Sequence, residues 1–391
     1  MANGSRHSMR YVPEVTYGVT PANPAFRPIR HLGTTLGMSK ESLQSGELRS
    51  DRQIADFRMG ARQTGGDISI ELSFGSFDDL LEAVLCGTWA PAKTTGSVQL
   101  SVTVADSTYK FVRAAGSFLT DGFDVGTTLI ASGFTNANNT GRFFVLAATA
   151  TELTVQPAQS QTPVAEAAGA RVLNSLRATL KAGVLRRSFT VEREFGDMEA
   201  AAKPYHRFTG VEMNTLALTI AANAMVTGTI GTVGKGFSTD SALLAGATYA
   251  EPTTTEPVDS FTGTLNESGN PISVITEIGL NLTNGLETRF VVGSKDTIRP
   301  SIARSNVTGT VTAYFEDSSL LDKFVNESDS NMTFETPDVD GNRYRFTIPR
   351  FKYTGGQPDV SGEGPVTLSM PYQALLDPVT KTNLMIERIP A

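Results

Sequence analysis

The chain has 391 residues, of which 40% are hydrophobic and 19% charged, so it can bury a core and lacks the composition of a disordered chain. Its net charge of −7 is opposite in sign to that of most proteins that bind nucleic acid. The single cysteine, Cys86, excludes a disulfide within the chain and a cysteine-based zinc site.

Neither a membrane span nor a signal peptide is predicted. No run of 18 apolar residues occurs, and the first seven residues lack an apolar core. We therefore expect a protein made in a cytoplasm, with no membrane contact.

The first part of the chain predicts a loop, a strand and a helix. Residues 45–62 form a long polar loop, and residues 68–74 then alternate between apolar and polar side chains, as in a half-buried strand. Residues 76–85 change to helical spacing, with Ser76 or Asp78 as the candidate cap.

Residues 91–180 predict a separate small β domain. Alternating runs at 98–104, 128–130, 142–146 and 152–155 are separated by turn residues such as Gly133 and Asn139. An insertion of this size is tolerated at an exposed connection, so we expect this domain on the outside of whatever structure the rest of the chain forms.

The chain then continues with strand patterns and a Pro-containing polar stretch. Residues 189–194, 205–209 and 216–220 read as strands, and residues 228–236 as a glycine-rich loop. Residues 238–260 have the composition of a linker.

The remainder repeats the order of the first part. Residues 284–305 form a second long loop, followed by a β run from 303 to 315 and a short helix at 317–325 that repeats a Leu-Leu pair. Strand patterns at 332–336, 344–347 and 366–370 correspond to 189–194, 205–209 and 216–220. This order predicts an internal duplication, with two equivalent loops that either reach a neighbouring molecule or stay on their own subunit as ordinary hairpins.

Motifs for catalysis or cofactor binding are poor. The histidines His7, His31 and His206 lack partners at metal-ligand spacing. The glycines of 228–236 are misplaced for a phosphate loop, and Gly236 stands where Ser or Thr would bind magnesium. We expect no catalytic residue, no cofactor and no metal.

The chain resembles the major tail tube proteins of long-tailed, non-contractile (siphovirus-type) bacteriophages. The resemblance depends on the order of four features: residues 10–21, residues 26–30, residues 45–53, and the Gly65-Gly66-Asp67-Ile68 strand with its helix. It covers most of the chain outside residues 91–180.

The resemblance implies a mainly β fold: a duplicated tail-tube β-sandwich or barrel unit, each with a short flanking helix, plus the inserted β domain. The implied division is an N-terminal arm (1–32), a first tube unit (33–90 and 181–237), the insert (91–180), a linker (238–260) and a second tube unit (261–391). The implied function is structural and not enzymatic.

The resemblance further implies rings that stack into a hollow tube in the virion. Rings would contain three duplicated chains with pseudo-six-fold symmetry, or six chains. Partners would be other copies, the tape measure protein, the tail tip and terminator proteins, and genomic DNA that passes without specific binding. Contacts between rings are expected at Arg10, Tyr11, Glu14, Tyr17, Arg49, Asp51, Arg52, Arg58, Arg62, Arg289, Lys295, Arg299 and Arg304.

Three other readings remain open at this stage. One is a receptor-binding or adhesin-type β protein, with the insert as its binding module. A second is another tail component of the same fold, such as a terminator or hub, which would form a single ring. A third, a carbohydrate-active enzyme, is disfavoured because Trp89 is the only tryptophan available to stack on a sugar.

Overall fold

The computed structural model describes residues 2–158, 161–260, 264–267, 270–271, 275–360 and 362–391. It separates into two compact units. The first unit contains Met1–Thr88, Lys181–Val339 and Phe346–Met385, and the second contains Trp89–Leu180, Asp340–Arg345 and Ile386–Ala391.

In the described residues the chain is mainly β, as the sequence predicts. The elements before the second unit are β1 (His7–Pro13), β2 (Ala25–Pro28), β3 (Gly33–Thr34), β4 (Gly37–Gln44), β5 (Phe57–Glu71) and α1 (Asp78–Val84). The following strands are β6 (Val98–Ala105), β7 (Thr108–Arg113), β8 (Thr128–Ser132), β9 (Gly141–Ala148), β10 (Glu152–Pro157), β11 (Glu166–Ser175) and β12 (Ala178–Lys181). Next come β13 (Phe189–Phe195), β14 (Tyr205–Ala221), β15 (Thr227–Gly234), β16 (Gly236–Asp240) and β17 (Thr248–Tyr249). The final elements are β18 (Thr264–Glu267), β19 (Asn270–Pro271), β20 (Ile275–Thr283), β21 (Glu287–Arg289), β22 (Ile298–Ser301), β23 (Asn306–Tyr314), α2 (Ser319–Val325), β24 (Ser330–Pro337), β25 (Arg343–Tyr353), β26 (Pro358–Asp359), β27 (Thr367–Ala374) and β28 (Met385–Ile389).

One long antiparallel sheet forms the centre of the first unit. Its strands pair in the order β4, β5, β15, β14, β20, β23, β27, and the end of β25 together with β26 follows the outer edge of β27. The first four strands come from residues 37–234 and the others from residues 275–374. The two halves of the sheet therefore meet where β14 pairs with β20.

The two halves of the long sheet have the same register. The pair Glu212–Val233 becomes Lys352–Gln373 when 140 is added to both numbers, and the same shift carries Leu218–Gly228 to Pro358–Leu368. Likewise, the pair Met38–Thr64 corresponds to Leu282–Val307 with shifts of 244 and 243. In this register β4, β5, β15 and β14 correspond to β20, β23, β27 and β25–β26.

This register corrects one sequence-based correspondence. Residues 366–370 were matched to 216–220, but they lie in β27, which corresponds to β15. The equivalent of 216–220 is 356–360. The error arises because adjacent strands of one sheet have the same apolar alternation, so the pattern does not say which strand is which.

Two predicted loops are partly or wholly strand. Residues 57–62, expected to be loop, are the beginning of β5, and the glycine-rich residues 228–234 are β15. Glycines occur in β15 because its neighbours approach closely. A methyl group at Gly228 would lie 2.8 Å from Leu218 Cδ2, and one at Gly234 would lie 2.9 Å from Thr64 Cγ2.

A second sheet of the first unit contains the N-terminal strand. Its order is β2, β1, β13, the first part of β14, and β16, all antiparallel. Helix α1 buries Leu80, Leu81 and Val84, as its apolar spacing predicts. The helix starts after Phe77 without a side-chain cap, and the Ser76 hydroxyl instead accepts a hydrogen bond from Ser73 at 2.7 Å.

The second unit contains a closed six-stranded barrel. Its order is β10, β7, β6, β11, β8, β9, and β9 pairs back to β10. Four of the strands, β6, β8, β9 and β10, lie at the predicted runs, whereas β7 and β11 were not predicted. The core of the barrel buries Phe111, Phe118, Phe123 and Phe143. Closure leaves the barrel without unpaired strand edges.

We expect Gly309→Ala to lower the free energy of unfolding by about 2 kcal/mol, because overpacking a well-filled core is costly. Gly309 lies in the middle of β23, where an added methyl group would overlap the Gly279 carbonyl oxygen and the Tyr372 hydroxyl. Urea denaturation measures the change. Gly364→Ala is the matched control, since nothing lies within 4 Å of that position. Equal effects of the two changes would contradict the close approach at Gly309.

Candidate assembly surfaces

One face of the long sheet is buried and the other is open. Alternate residues such as Ile68, Leu218, Ile230 and Leu280 point into the core and are at most 1% exposed. On the other face, all but Gly231 of the central residues are half-buried or exposed. They are Asp67, Ser69, Glu71, Thr215, Ala217, Thr219, Thr227, Thr229, Gly231, Glu277, Gly279, Asn281, Thr308, Thr310, Thr312, Thr367, Ser369 and Pro371.

The side chains of the open face belong to only a few residue types. Threonine, serine, glycine and asparagine make up most of this set, and its charged members are the carboxylates Asp67, Glu71 and Glu277. The set contains no lysine or arginine. Such a surface presents small polar groups and negative charge, and it offers a phosphate backbone no cationic partner.

The long sheet ends in two unpaired edges. In the described residues, β4 pairs with β5 on one side only, and β26 pairs with β27 on one side only. Unpaired edges present free backbone N–H and C=O groups, which are templates for pairing with another chain. By the register above, these edges correspond to β20 and β14, the two strands that pair inside the chain.

The hairpin between β4 and β5 projects from the molecule. We call residues 40–62 the first arm. Every residue from 39 to 59 is exposed, including the apolar Leu48 and Ile54. At its tip, Arg49 and Asp51 form an ion pair with each other (2.8 Å).

The equivalent connection between β20 and β23 folds back on its own chain. We call residues 284–305 the second arm, which includes the hairpin of β21 and β22. At its root, the Asn284 side-chain amide donates to the Val84 carbonyl (2.7 Å), and further along Arg299 pairs with the buried Glu212 (2.7 Å). At its tip, the Lys295 carbonyl accepts from the Arg62 amide (2.8 Å).

The side chains near the tip strengthen this crossing. Asp296 forms an ion pair with Arg62 (2.6 Å), and the Lys295 ammonium donates to the Met59 carbonyl (2.9 Å). The second arm therefore reaches from β20 across the ends of β14 and β15 to β5, where it binds the base of the first arm.

The N-terminal residues expected to contact other rings are bound within the chain. The carboxylate of Glu14 accepts four hydrogen bonds, from Gly18, Ser188, Thr190 and Gly210, at 2.7–2.9 Å. These bonds anchor residues 14–18 to the second sheet.

The neighbours of Glu14 are also held. Arg10 forms an ion pair with Glu194 (2.6 Å), and the buried Tyr11 donates to Asp79 (3.0 Å). Burial raises the pKa of Tyr11, so its hydroxyl stays protonated as a donor. The Tyr17 ring lies beneath the guanidinium of Arg299.

The other expected contact residues lie on the two arms. Arg49, Asp51, Arg52 and Arg58 are on the exposed part of the first arm. On the second arm, Arg289 donates to the Arg299 carbonyl (2.8 Å). Arg304 is exposed next to the beginning of β23.

The three histidines form a cluster that sequence spacing does not reveal. His7 Nδ1 lies 2.8 Å from His31 Nε2, and Arg193 donates to His7 Nε2 (3.0 Å). His206 completes the group through Phe195, whose ring packs edge-on against both His7 and His206. The residues are distant in sequence and meet only because β1, β13 and β14 are adjacent.

The histidine cluster is not a metal site. Because Arg193 donates to one ring nitrogen of His7, the neutral His7 must donate from the other to His31. Burial, Arg193 and the other two histidines lower the pKa of His7 to about 4. Among the described residues no group of His, Cys, Asp or Glu has metal-binding geometry, and no helix is long and apolar enough to cross a membrane.

A family model described as phage tail tube protein matches residues 4–374, which includes both halves of the long sheet. A search of curated proteins finds no match.

We expect the stability of the protein to fall between pH 7 and pH 5 partly through His7. The unfolded chain binds a proton at His7 near pH 6.5, whereas the folded chain resists protonation down to about pH 4. Unfolding therefore takes up a proton in this range, and acid favours the unfolded state. In His7→Gln the melting temperature should fall less steeply over the same range, even if the variant is less stable at pH 7. Parallel pH profiles for the two proteins would contradict this assignment.

Proposed function

The chain belongs to the phage tail tube protein family, and we propose that three copies close into a ring whose stacking forms the hollow tail tube of a siphovirus-type virion. Each chain contributes two equivalent sheet halves, so a ring of three chains has pseudo-six-fold symmetry. Genomic DNA passes through the tube during ejection without being bound.

The observation that carries this proposal is the open face of the long sheet. A channel that conducts DNA must not retain it, and each Lys or Arg contact to a phosphate adds salt-dependent affinity. The central residues of the open face include no lysine or arginine, Lys352 lies on the same face only at the outer edge beside Gln373, and the central carboxylates repel phosphate. We propose that this face lines the lumen.

The proposed organisation follows the duplication. Residues 33–90 with 181–237 form the first tube unit and residues 261–391 the second, with an N-terminal arm at 1–32 and a linker at 238–260. Residues 91–180 are an inserted domain, which we place on the outside of the tube. The shared register of the two sheet halves supports the two copies.

We call the pairing of β14 with β20 the seam inside the chain. It provides the template for the pairing of strands between chains. Within the chain, Thr215 of β14 lies opposite Thr283 of β20. The shifts of 140 and 244 relate Thr215 to Gly355 and Thr283 to Ser39. Residues 34–39 of one chain, which run from β3 into the beginning of β4, therefore pair antiparallel with residues 355–360 of the next, with Ser39 opposite Gly355.

For the stacking of rings we propose the exposed charged residues of the arms. Arg49, Asp51, Arg52, Arg58 and Arg304 are exposed and available to another chain. The remaining expected contact residues form hydrogen bonds, ion pairs or ring contacts within their own chain, and we propose that these contacts hold the surface in place. They are Arg10, Tyr11, Glu14, Tyr17, Arg62, Arg289, Lys295 and Arg299.

The tube would end on other tail proteins. We propose the tape measure protein inside the tube during assembly, and terminator and tip proteins at its two ends. The alternative functions, a terminator or hub of the same fold and a receptor-binding protein, differ in assembly. The first would stop at a single ring, and the second would present a binding module without stacked rings.

The first prediction concerns the ring. In Ser39→Cys/Gly355→Cys, we expect mild oxidation to link three chains covalently, because the proposed register brings these residues together. Negative-stain microscopy and native mass measurement should show hollow rings or tubes with three chains per ring. Ser39→Cys/Val360→Cys, which is out of register by about five residues, is the matched control. A protein that stays monomeric at high concentration, or rings of six chains, would contradict the proposal.

The second prediction concerns the lumen. We expect rings of the wild-type protein to show no measurable binding to a short DNA duplex. Thr229→Lys/Ser369→Lys should bind it at least about ten-fold more tightly at low salt, with affinity falling steeply as salt rises. Fluorescence anisotropy measures the binding, and Thr229→Gln/Ser369→Gln controls for size. Salt-dependent binding by the wild-type rings would exclude this face as a non-retaining lumen.

A further inference from the structure

We infer that Arg193 of one chain and Pro358 of the next together select which strands pair between chains, and in which register. Arg193 caps the backbone carbonyl of Leu36 on one edge of the long sheet, and Pro358 presents no N–H on the other edge. The inference rests on the proposed ring of three chains. We call the proposed pairing of residues 34–39 with residues 355–360 of the next chain the seam between chains.

The seam inside the chain shows the regular hydrogen-bond pattern. The Asn284 amide donates to the Asn214 carbonyl (2.9 Å), which makes these two residues a hydrogen-bonded pair. In an antiparallel ladder such pairs alternate with pairs that are not hydrogen-bonded. Leu280 and Leu218 lie opposite each other four residues further along, so they are also a hydrogen-bonded pair. Each of the two leucine amides therefore donates to the carbonyl of the other.

The corresponding pair in the seam between chains contains a proline. The shifts of 244 and 140 relate Leu280 to Leu36 and Leu218 to Pro358. Leu36 of one chain therefore lies opposite Pro358 of the next, where a regular ladder has two hydrogen bonds. Proline has no backbone N–H, so Pro358 cannot donate to the Leu36 carbonyl.

The backbone groups of Leu36 already have partners in their own chain. The Leu36 amide donates to the Thr34 hydroxyl (3.0 Å), and its carbonyl accepts from Nη1 of Arg193. Leu36 is completely buried, whereas Thr34 and Arg193 are half-buried. An arriving strand therefore meets the side chains of Thr34 and Arg193 at this row, and not the Leu36 backbone.

Arg193 is positioned by the second sheet and does not depend on another chain. It lies in β13, where its Nε donates to His7 Nε2 (3.0 Å). Its guanidinium also packs over the Phe195 ring, 5.4 Å from the ring centroid. The Leu36 carbonyl is thus capped before a second chain arrives.

The capped carbonyl and the proline are complementary. An ordinary residue at this row would turn its N–H towards a guanidinium, which has no acceptor, and a buried donor without a partner is costly. Pro358 has no donor to lose. A slip of the register by two residues would bring Gly356 or Val360, each with an N–H, opposite Leu36. The pair therefore favours one partner strand in one register.

Only the seam between chains has this feature. At the equivalent row inside the chain both residues are leucines, and β14 and β20 belong to one chain, so their choice of partner is already limited. An edge that other molecules can reach must instead reject wrong strands, and proline on an edge strand is one way to do so.

Pro358→Leu tests the inference, because it introduces the residue found at the equivalent position 218. The new N–H meets the guanidinium of Arg193, so we expect the protein concentration at half-maximal ring formation to rise at least about ten-fold. Sedimentation velocity measures ring formation. Pro378→Leu is the matched control, since it removes an exposed proline between β27 and β28, outside the seam, and should leave ring formation unchanged.

A second change in Arg193 separates pairing from a purely structural role. Arg193→Met frees the Leu36 carbonyl and should by itself weaken ring formation, because Pro358 offers no donor to replace the guanidinium. Combined with Pro358→Leu, it should return the half-maximal concentration to within about three-fold of the wild-type value, because the new N–H then donates to this carbonyl. Loss of the contacts of Arg193 with His7 and Phe195 would not be relieved by a change at Pro358. If Arg193→Met does not fold, Pro358→Leu and its control decide the question.

The outcomes separate this inference from the ring itself. Rings that form equally well in Pro358→Leu and in the wild-type protein overturn the inference and leave the ring intact. A loss in Pro358→Leu that the folded double variant does not relieve also overturns it, because the two residues then act independently. A wild-type chain that never forms rings overturns both proposals.

Discussion

The unpaired edges of the long sheet are the constraint on which the rest of the structure depends. A β-sheet must cover, close or pair its edges, or else it pairs with whatever strand it meets. The inserted barrel solves this by closing on itself. The long sheet does not, and its two edges correspond in register to β14 and β20, which already pair inside the chain. The same edges that would be a liability in a monomer are therefore complementary in an assembly.

Strand alternation links the core to the open face. Because successive side chains point to opposite faces, the apolar residues that hold the sheet to its core fix every residue of the other face. Ile230 and Leu280 are buried, so Thr229 and Asn281 must be on the open side. The side chains at the centre of that face are small, and the absence of basic residues among them leaves phosphate without a cationic partner there. Stability and the proposed conduction of DNA are thus set by alternate positions of the same strands.

The sequence predicted which segments are strands or helices better than it predicted which strands of the two sheet halves correspond to each other. Alternation identified strands such as β6 and β10, and apolar spacing located α1, because these are local patterns. These local patterns failed where contacts between residues distant in the sequence determine the structure. The glycines of β15 were read as a loop, although they allow close packing within a sheet. The histidine cluster could not be found from spacing, because His7, His31 and His206 meet only through sheet pairing. The edge strands of the sheet could not be predicted either, because an edge strand is one that pairs on one side only, and the sequence pattern does not show which strands pair.

The duplication would also change the thermodynamics of closing the proposed ring. Joining separate bodies costs translational and rotational freedom, on the order of 4–15 kcal/mol for each association. A ring of six separate units requires five such steps, whereas three duplicated chains require two. In the proposed ring, three of the six seams are the β14–β20 pairings inside the chains, which form during folding and do not depend on protein concentration. The duplication also frees the two arms to differ in sequence. The second arm is held by Arg62 and Glu212 of its own chain, while the first remains exposed. In the proposed ring, only the seams between chains therefore depend on protein concentration.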